Sequence, residues 1–274
     1  MRTWRLLDTG ALPASLNMAI DEALLQLHAR GESPPTLRFY QWHPPAVSLG
    51  YFQKRHSIDP EACRGIGLDI VRRSTGGRAV LHKDDLTYSF IAGATEGIPV
   101  SLPASYRLLC EGLLAGFRLL GLEAELGAEN TRTPQADICF MGASIGDIVY
   151  RGRKFLGSAQ TWMGTSLLQH GSIVLEPQES TWTAILSPDH FSRKPLLERL
   201  KSRTVSLSEI LGGTVKLFDL KSAIKAGMAE ALKIDFEEGE LSPEEWALAR
   251  EIASKRSKLE ETHEHSEVFR AHVV

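Results

Sequence analysis

The chain has 274 residues, 43% hydrophobic and 24% charged, with a formal net charge of −3. These proportions are ordinary for a globular chain, and a near-neutral balance supplies no field that would hold a polyanion, so nucleic-acid binding is not expected. No run of about 18 apolar residues occurs, and MRTWRLLDTG lacks the apolar core of a secretory signal, so a cytoplasmic protein without a membrane partner is expected.

In chain order, WRLLDT reads as an edge strand and SLNMAIDEALLQLHAR as an amphipathic helix. Ser15 is its predicted N-cap, and Leu16, Ile20, Ala23, Leu24 and Leu27 share one face. TLRFYQW and AVSLGYF read as two strands joined by the HPP turn. DIVRRS, AVLHKDD and LTYSFIAG follow with too few residues between them for crossover helices, which predicts largely antiparallel neighbours. A long helix is predicted over about residues 103–121. DIVY and KFLGSAQ form a predicted hairpin around Arg151 and Gly152, and LLQHGSIVL another strand. FDLKSAIKAGMAEALK and SPEEWALAREIASKRSK carry helical periodicity, the second with a serine cap and an acidic first turn. The fold class is therefore α+β, a mixed and mostly antiparallel sheet flanked by helices. The division is a sheet-containing domain over residues 1–212 and a small helical region over 213–274.

Three cysteines, Cys63, Cys110 and Cys139, are odd in number and lack CxxC pairing, which disfavours a disulfide framework and a tetrahedral zinc site. Cys110 falls on the helical period of SYRLLCEGLLAGFRLLGL and reads as core packing, and Cys63 sits in a short capped turn, DPEACRGIG. Cys139 differs, because it lies in a polar, glycine-rich stretch fifteen positions before Lys154. No metal site is expected; the two histidines of EETHEHSE read as a solvated terminus.

Two further stretches carry chemistry. In RRSTGGRAVLHKDD, Gly76 and Gly77 are flanked by Arg72, Arg73 and Arg78. Paired glycines allow close approach of a ligand and can aim N–H groups at an anion or a polarised carbonyl, although they also suit a tight hairpin turn. The stretch has no GxxxxGK[ST] pattern, so it is not a P-loop. In QHGSIVL, His170 and Gly171 stand at the head of a strand, where the histidine fits either a binding site or a hydrogen-bonded structural position.

Taken together, NMAIDEALL, RRSTGGRAVLHKDDLTYSF, GRKFLGSAQ and QHGSIVL resemble, in matching order over about residues 1–212, the biotin/lipoate protein ligase and lipoyl transferase family. The CF dipeptide at Cys139, its spacing to GRK and the arginine after the glycine pair are similar to the LipM-type octanoyltransferases of that family. MGASIGD follows CF where the pattern has a bulkier segment, which leaves donor and acceptor preference open.

The resemblance implies transfer of an octanoyl group from acyl carrier protein to a lysine of glycine cleavage H protein or of a lipoyl domain, without a cofactor, by a monomer. Cys139 is then the nucleophile, carrying the acyl group as a thioester. Lys154 lowers its pKa and exchanges a proton with the incoming amine. Arg73, Gly76, Gly77, Arg78, His82, Gly157, Ser158, Ala159, His170 and Gly171 would bind the substrate. Three other readings fit the same motifs: an amidotransferase between lipoyl-accepting proteins, an ATP-dependent lipoate ligase, and a non-catalytic acyl-binding module.

Overall fold

The computed structural model describes residues 2–53, 58–127, 147–186 and 193–256. Cys139, residues 141–146 of the MGASIGD segment after it and the EETHEHSE tail lie outside the described residues.

An eight-stranded mixed sheet runs in the order β11-β1-β2-β6-β10-β9-β8-β7. Its centre is β6 (Asp85–Gly93) and β10 (Ser166–Val174), antiparallel and buried along their whole length. Strand alternation sorts their side chains. Leu86, Tyr88, Phe90 and Ala92 of β6 point into the largest apolar core, while Thr87 and Ser89 point to the opposite face. β2 (Thr36–Trp42) follows the same rule, with Leu37 and Phe39 in that core.

β9 (Arg153–Met163) pairs with β10 on one side and with β8 (Ile148–Tyr150) on the other. The expected hairpin is present. Arg151 and Gly152 both have positive φ, 49° and 75°, as the primed two-residue turns require. β7 (Glu125–Leu126) ends the sheet beside β8.

A second sheet of three strands, β4-β3-β5, stands apart. It comprises β3 (Ala46–Leu49), β4 (Asp69–Arg72) and β5 (Val80–His82). The strands read from TLRFYQW and AVSLGYF thus belong to different sheets, with the intervening His43–Pro44 bond cis. β4 runs parallel to β3, against the expectation of antiparallel neighbours there. The short helix α2 (Pro60–Gly65) supplies the crossover between them, capped by the Asp59 side chain. Across both sheets the pairing is mostly antiparallel, as expected.

α1 (Ala14–Ala29) covers the polar face of the large sheet. Ser15 is not its cap. The helix begins one residue earlier, and the Pro13 carbonyl closes the first turn by accepting from the amides of Leu16 and Asn17. On the other face lie α3 (Leu102–Leu119), which buries Cys110 as expected, and α7 (Leu217–Leu232). These two helices approach closely because Gly112, Gly116 and Gly227 meet. A Cβ on Gly227 would lie 2.1 Å from the Gly116 nitrogen. Leu220, Ile224 and Met228 of α7 share the core of Phe90 and Phe117, where full burial of such a side chain contributes about 1.5–3 kcal/mol.

α7 leads into β11 (Ile234–Glu238), which pairs in parallel with β1 (Arg2–Leu12). WRLLDT is therefore not the edge: β1 is flanked by β2 and β11. A final helix, α8, spans residues 243–256. Its start is the expected serine cap, with Ser242 Oγ accepting from the Glu245 amide and the Glu245 carboxylate accepting from the Ser242 amide. α4 (Glu179–Ile185), α5 (Arg193–Arg203) and α6 (Leu207–Leu211) complete the fold. No helix among the described residues is long and apolar enough to cross a membrane.

Candidate active site

Between the polar face of the large sheet, α1 and the small sheet lies a cavity of about 410 Å3, counted with its open mouth. That is within the roughly 300–1,000 Å3 typical of small-ligand pockets. Met18, Tyr40, Trp42 and Val80 supply apolar wall; Thr87, His170 and Ser172 come from the central strands and Gly157, Ser158 and Ala159 from β9. The Trp42 ring stacks on His82 with centroids 3.9 Å apart.

Two histidines are each held between a carboxylate and a hydroxyl. His82 Nδ1 is 2.9 Å from Asp85 Oδ2, and its Nε2 is 2.8 Å from Ser48 Oγ. A carboxylate only accepts, so Nδ1 carries the proton. Burial pushes the His82 pKa down, with the Asp85 charge acting against it, so the ring is neutral and Nε2 accepts from Ser48. The same carboxylate oxygen accepts from Thr87 and Ser172, and Thr87 in turn accepts from the Trp42 indole.

His170 repeats the pattern, with Nδ1 3.1 Å from Asp21 Oδ2 and Nε2 2.7 Å from Thr75 Oγ1. Asp21, in the middle of α1, also accepts from Arg38, Tyr40 and Ser89. Burial pushes its carboxyl up, but the His170 hydrogen bond and the Arg38 charge outweigh that and hold it below the usual carboxylate value.

The paired glycines are not a hairpin turn, since β4 and β5 both flank β3 rather than each other. Arg73 organises the loop between them from inside. Its guanidinium donates to Ser48 O at 2.9 Å, Ser48 Oγ at 3.1 Å, Gly76 O at 2.9 Å and Arg78 O at 2.7 Å. Gly77 has φ +96° and packs against Gly50, where a Cβ would lie 2.0 Å from the Gly77 carbonyl oxygen.

Of the residues singled out in the sequence, Arg73, Gly77, His82, Gly157, Ser158, Ala159, His170 and Gly171 line this one cavity, while Gly76, Arg78 and Lys154 do not. Lys154 lies further back on β9, 2% exposed, with Nζ 2.9 Å from Asp147 Oδ1. Asp147 directly precedes β8, and a bulge in the β8–β9 ladder brings the two together. Ser158 has a second feature. Its carbonyl accepts from Tyr106 of α3, away from β10. In an antiparallel strand a residue's N–H and C=O point to the same side, so the Ser158 amide also points off the β10 ladder.

Asp21, Arg38, Ser48, Thr75, Asp85, Thr87 and Ser172 complete the site without being singled out by any sequence motif. A signal was present in part. Asn17 and Asp21 stand one turn apart on an otherwise apolar helix face, and Thr87 and Ser89 alternate with bulky apolar residues in a strand buried on both faces. Cys63 and Cys110 are fully buried, and burial pushes their thiols up to about 11 and about 12.

The chain that builds this cavity has known relatives. The chain belongs to the lipoyl protein ligase A/B catalytic domain family, whose model matches residues 13–229. Within it, the chain is 40% identical over 268 residues to Octanoyltransferase LipM of Geobacillus kaustophilus, covering 94% of this chain and 96% of that one. It is 42% identical over 264 residues to Octanoyltransferase LipM of Kyrpidia tusciae, covering 93% and 96%. Among solved structures it is similar to an archaeal bi-partite lipoate protein ligase from Thermoplasma acidophilum, described with its E2 lipoyl domain. The TM-score is 0.79 at 26% identity, and 93% of each chain is covered.

Proposed function

We propose that this protein is an acyltransferase of lipoate biosynthesis that moves an octanoyl group from the thioester of acyl carrier protein, through a thioester on Cys139, to a lysine of a lipoyl-accepting protein. The near-full-length likeness to octanoyltransferases supports the acyl group and the reaction class. The observation that carries the site is the cavity itself: its apolar wall suits an alkyl chain, and its buried histidines and carboxylates are already partnered with one another.

In the first half-reaction the Cys139 thiolate attacks the octanoyl carbonyl. The C–S bond to the carrier's phosphopantetheine breaks, and the departing sulfur takes a proton from the Lys154 ammonium. In the second, the acceptor lysine amine attacks the acyl-cysteine. The Cys139 sulfur leaves, the amine's proton passes to Lys154, and an amide is formed. Exchange of one thioester for another is nearly isoenergetic and thioester to amide is downhill, so no nucleotide is needed. Asp147 holds the buried Lys154 in a 2.9 Å ion pair, in which each charge offsets the desolvation of the other. The Ser158 amide is the member of the Gly157–Ala159 trio available to the oxyanion. Gly157, Ala159 and Gly77 leave room for the chain, with Trp42 and Met18 against it.

Single-turnover mixing of the enzyme, octanoyl-acyl carrier protein and apo H protein without nucleotide tests the reading. It expects an octanoyl amide on H protein; product only on addition of ATP and free octanoate would make the protein a ligase instead.

A further inference from the structure

Ser48 of β3 lines the cavity, and the direction of its hydrogen bonds is fixed by its neighbours. Because His82 Nδ1 gives its proton to Asp85, Nε2 offers a lone pair, and the Ser48 hydroxyl donates to it at 2.8 Å. The same hydroxyl oxygen accepts from Arg73 Nη1 at 3.1 Å. The far end of the chain of contacts is held too. Asp85 Oδ2 accepts from Thr87 at 3.0 Å and from Ser172 at 2.6 Å, while the Trp42 ring lies stacked on the imidazole.

A hydroxyl proton aimed at a neutral imidazole, which is itself oriented by a buried carboxylate, is the arrangement of a serine nucleophile with its general base. Arg73 adds a positive charge beside Oγ, which favours the alkoxide and gives a donor for an oxyanion. Ser48, Arg73 and His82 all line the cavity, against the apolar wall of Met18, Tyr40, Trp42 and Val80. The Asp21–His170–Thr75 set repeats the bonding but not the access. Thr75 does not line the cavity, so that set ties the glycine-pair loop to β10 and has no substrate to attack.

We propose that Ser48, His82 and Asp85 give this protein a second activity, the hydrolysis of medium-chain acyl thioesters and esters, independent of Cys139. Ser48 Oγ attacks the acyl carbonyl as its proton passes to His82 Nε2. The C–S bond then breaks, and the departing sulfur takes that proton, leaving an acyl-serine. Water attacks this ester, giving a proton to His82 Nε2; the C–O bond to Ser48 breaks, Oγ takes the proton back, and the free fatty acid leaves. The first step is the slow one, since a hydroxyl is a weaker nucleophile than a thiolate, so the acyl-serine does not accumulate. Asp85 keeps the proton on Nδ1 throughout.

The test uses full-length Cys139→Ala, in which the transfer route is closed, so its outcome leaves the transfer reaction untouched. Octanoate release from octanoyl-N-acetylcysteamine is measured without nucleotide, and a fluorophosphonate probe is added separately and located by peptide mass. Cys139→Ala is expected to release octanoate, and Cys139→Ala/Ser48→Ala to do so on the order of 100-fold more slowly. Cys139→Ala/Asp85→Asn should also be slowed, because the wrong histidine tautomer is then held. The probe should add once, on the peptide that contains Ser48, and octanoyl-N-acetylcysteamine should slow its addition. Labelling of Cys139→Ala does not depend on whether the Ser48→Ala variant folds. Equal octanoate release with and without Ser48, or no adduct on Ser48 in Cys139→Ala, overturns the proposal.

Discussion

Lys154 and Asp147 form an ion pair of 2.9 Å in which both side chains are 2% exposed, placed by the bulge between β8 and β9. Two charges removed from water persist together because each offsets the desolvation of the other. Removing one partner is therefore worse than removing both. Lys154→Met is expected to lower stability by about 3 kcal/mol, and the double variant Lys154→Met/Asp147→Leu to recover at least half of that loss. Urea midpoints of the single and double variants check this; equal losses would show that the pair is not coupled.

Activity gives a second readout of the same contact. Asp147→Asn should slow octanoyl transfer by about 10- to 100-fold, because Lys154 then loses the carboxylate that holds its ammonium in place. Asp147→Glu should restore part of the rate. An unchanged rate in Asp147→Asn, or an equal loss in Asp147→Glu, would mean that the carboxylate's contact with Lys154 does not serve transfer.

The β8–β9 hairpin that carries this pair was legible in the sequence, since a two-residue turn between alternating strands is a local signal. The same holds for β10 and for the Ser242 cap. What escaped was long-range. IDFEE does not read as a strand, and only the parallel partner β1 makes it one, which also removes β1 from the edge. The small sheet was missed as a separate unit because nothing local in HPP tells a chain to leave one sheet for another. At the site, the glycine pair and both histidines could be picked out as chemistry-bearing types. Asp21, Asp85, Ser48 and Thr75, which orient those histidines, come from elements far apart in sequence or from positions that look like ordinary polar surface.

Glycine packing between α3 and α7 gives a stability prediction with no bearing on catalysis. A methyl group at Gly227 would meet the Gly116 nitrogen at 2.1 Å and the Gly112 carbonyl oxygen at 2.4 Å. Gly227→Ala should force the helices apart and destabilise the fold by about 1–3 kcal/mol or more. An unchanged urea midpoint would show that the helices have room to give.

The buried His82 makes folding pH-dependent. Its pKa in the folded protein lies below the ordinary 6.5, chiefly through burial. Such a group contributes its full stability above about pH 6.5 and loses it as the pH falls from there toward the folded value, because the unfolded chain takes up the proton first. His28 shifts in the same direction, so part of the slope is its own. Urea denaturation at about pH 8 and about pH 5.5 should show a smaller stability difference for His82→Gln than for the unsubstituted protein; an equal difference would rule His82 out as a source of the slope.

The thiols separate cleanly. Cys63 and Cys110 are fully buried with their pKa values pushed up to about 11 and about 12, so iodoacetamide at about pH 8 should leave both untouched in the native protein. A single label is expected, on the peptide that contains Cys139. Rapid native-state labelling of Cys110 would contradict the packing of α3.

The central claim is that Cys139 carries the acyl group, and intact mass spectrometry tests it most directly. The purified protein is incubated with octanoyl-acyl carrier protein and no nucleotide, and its mass is followed before and after a lipoyl domain is added. The expected result is a gain of one octanoyl group that is released by hydroxylamine, absent in Cys139→Ala and passed to the domain as an amide. Transfer by Cys139→Ala at a comparable rate, or a domain octanoylated while the enzyme itself never gains mass, would contradict it.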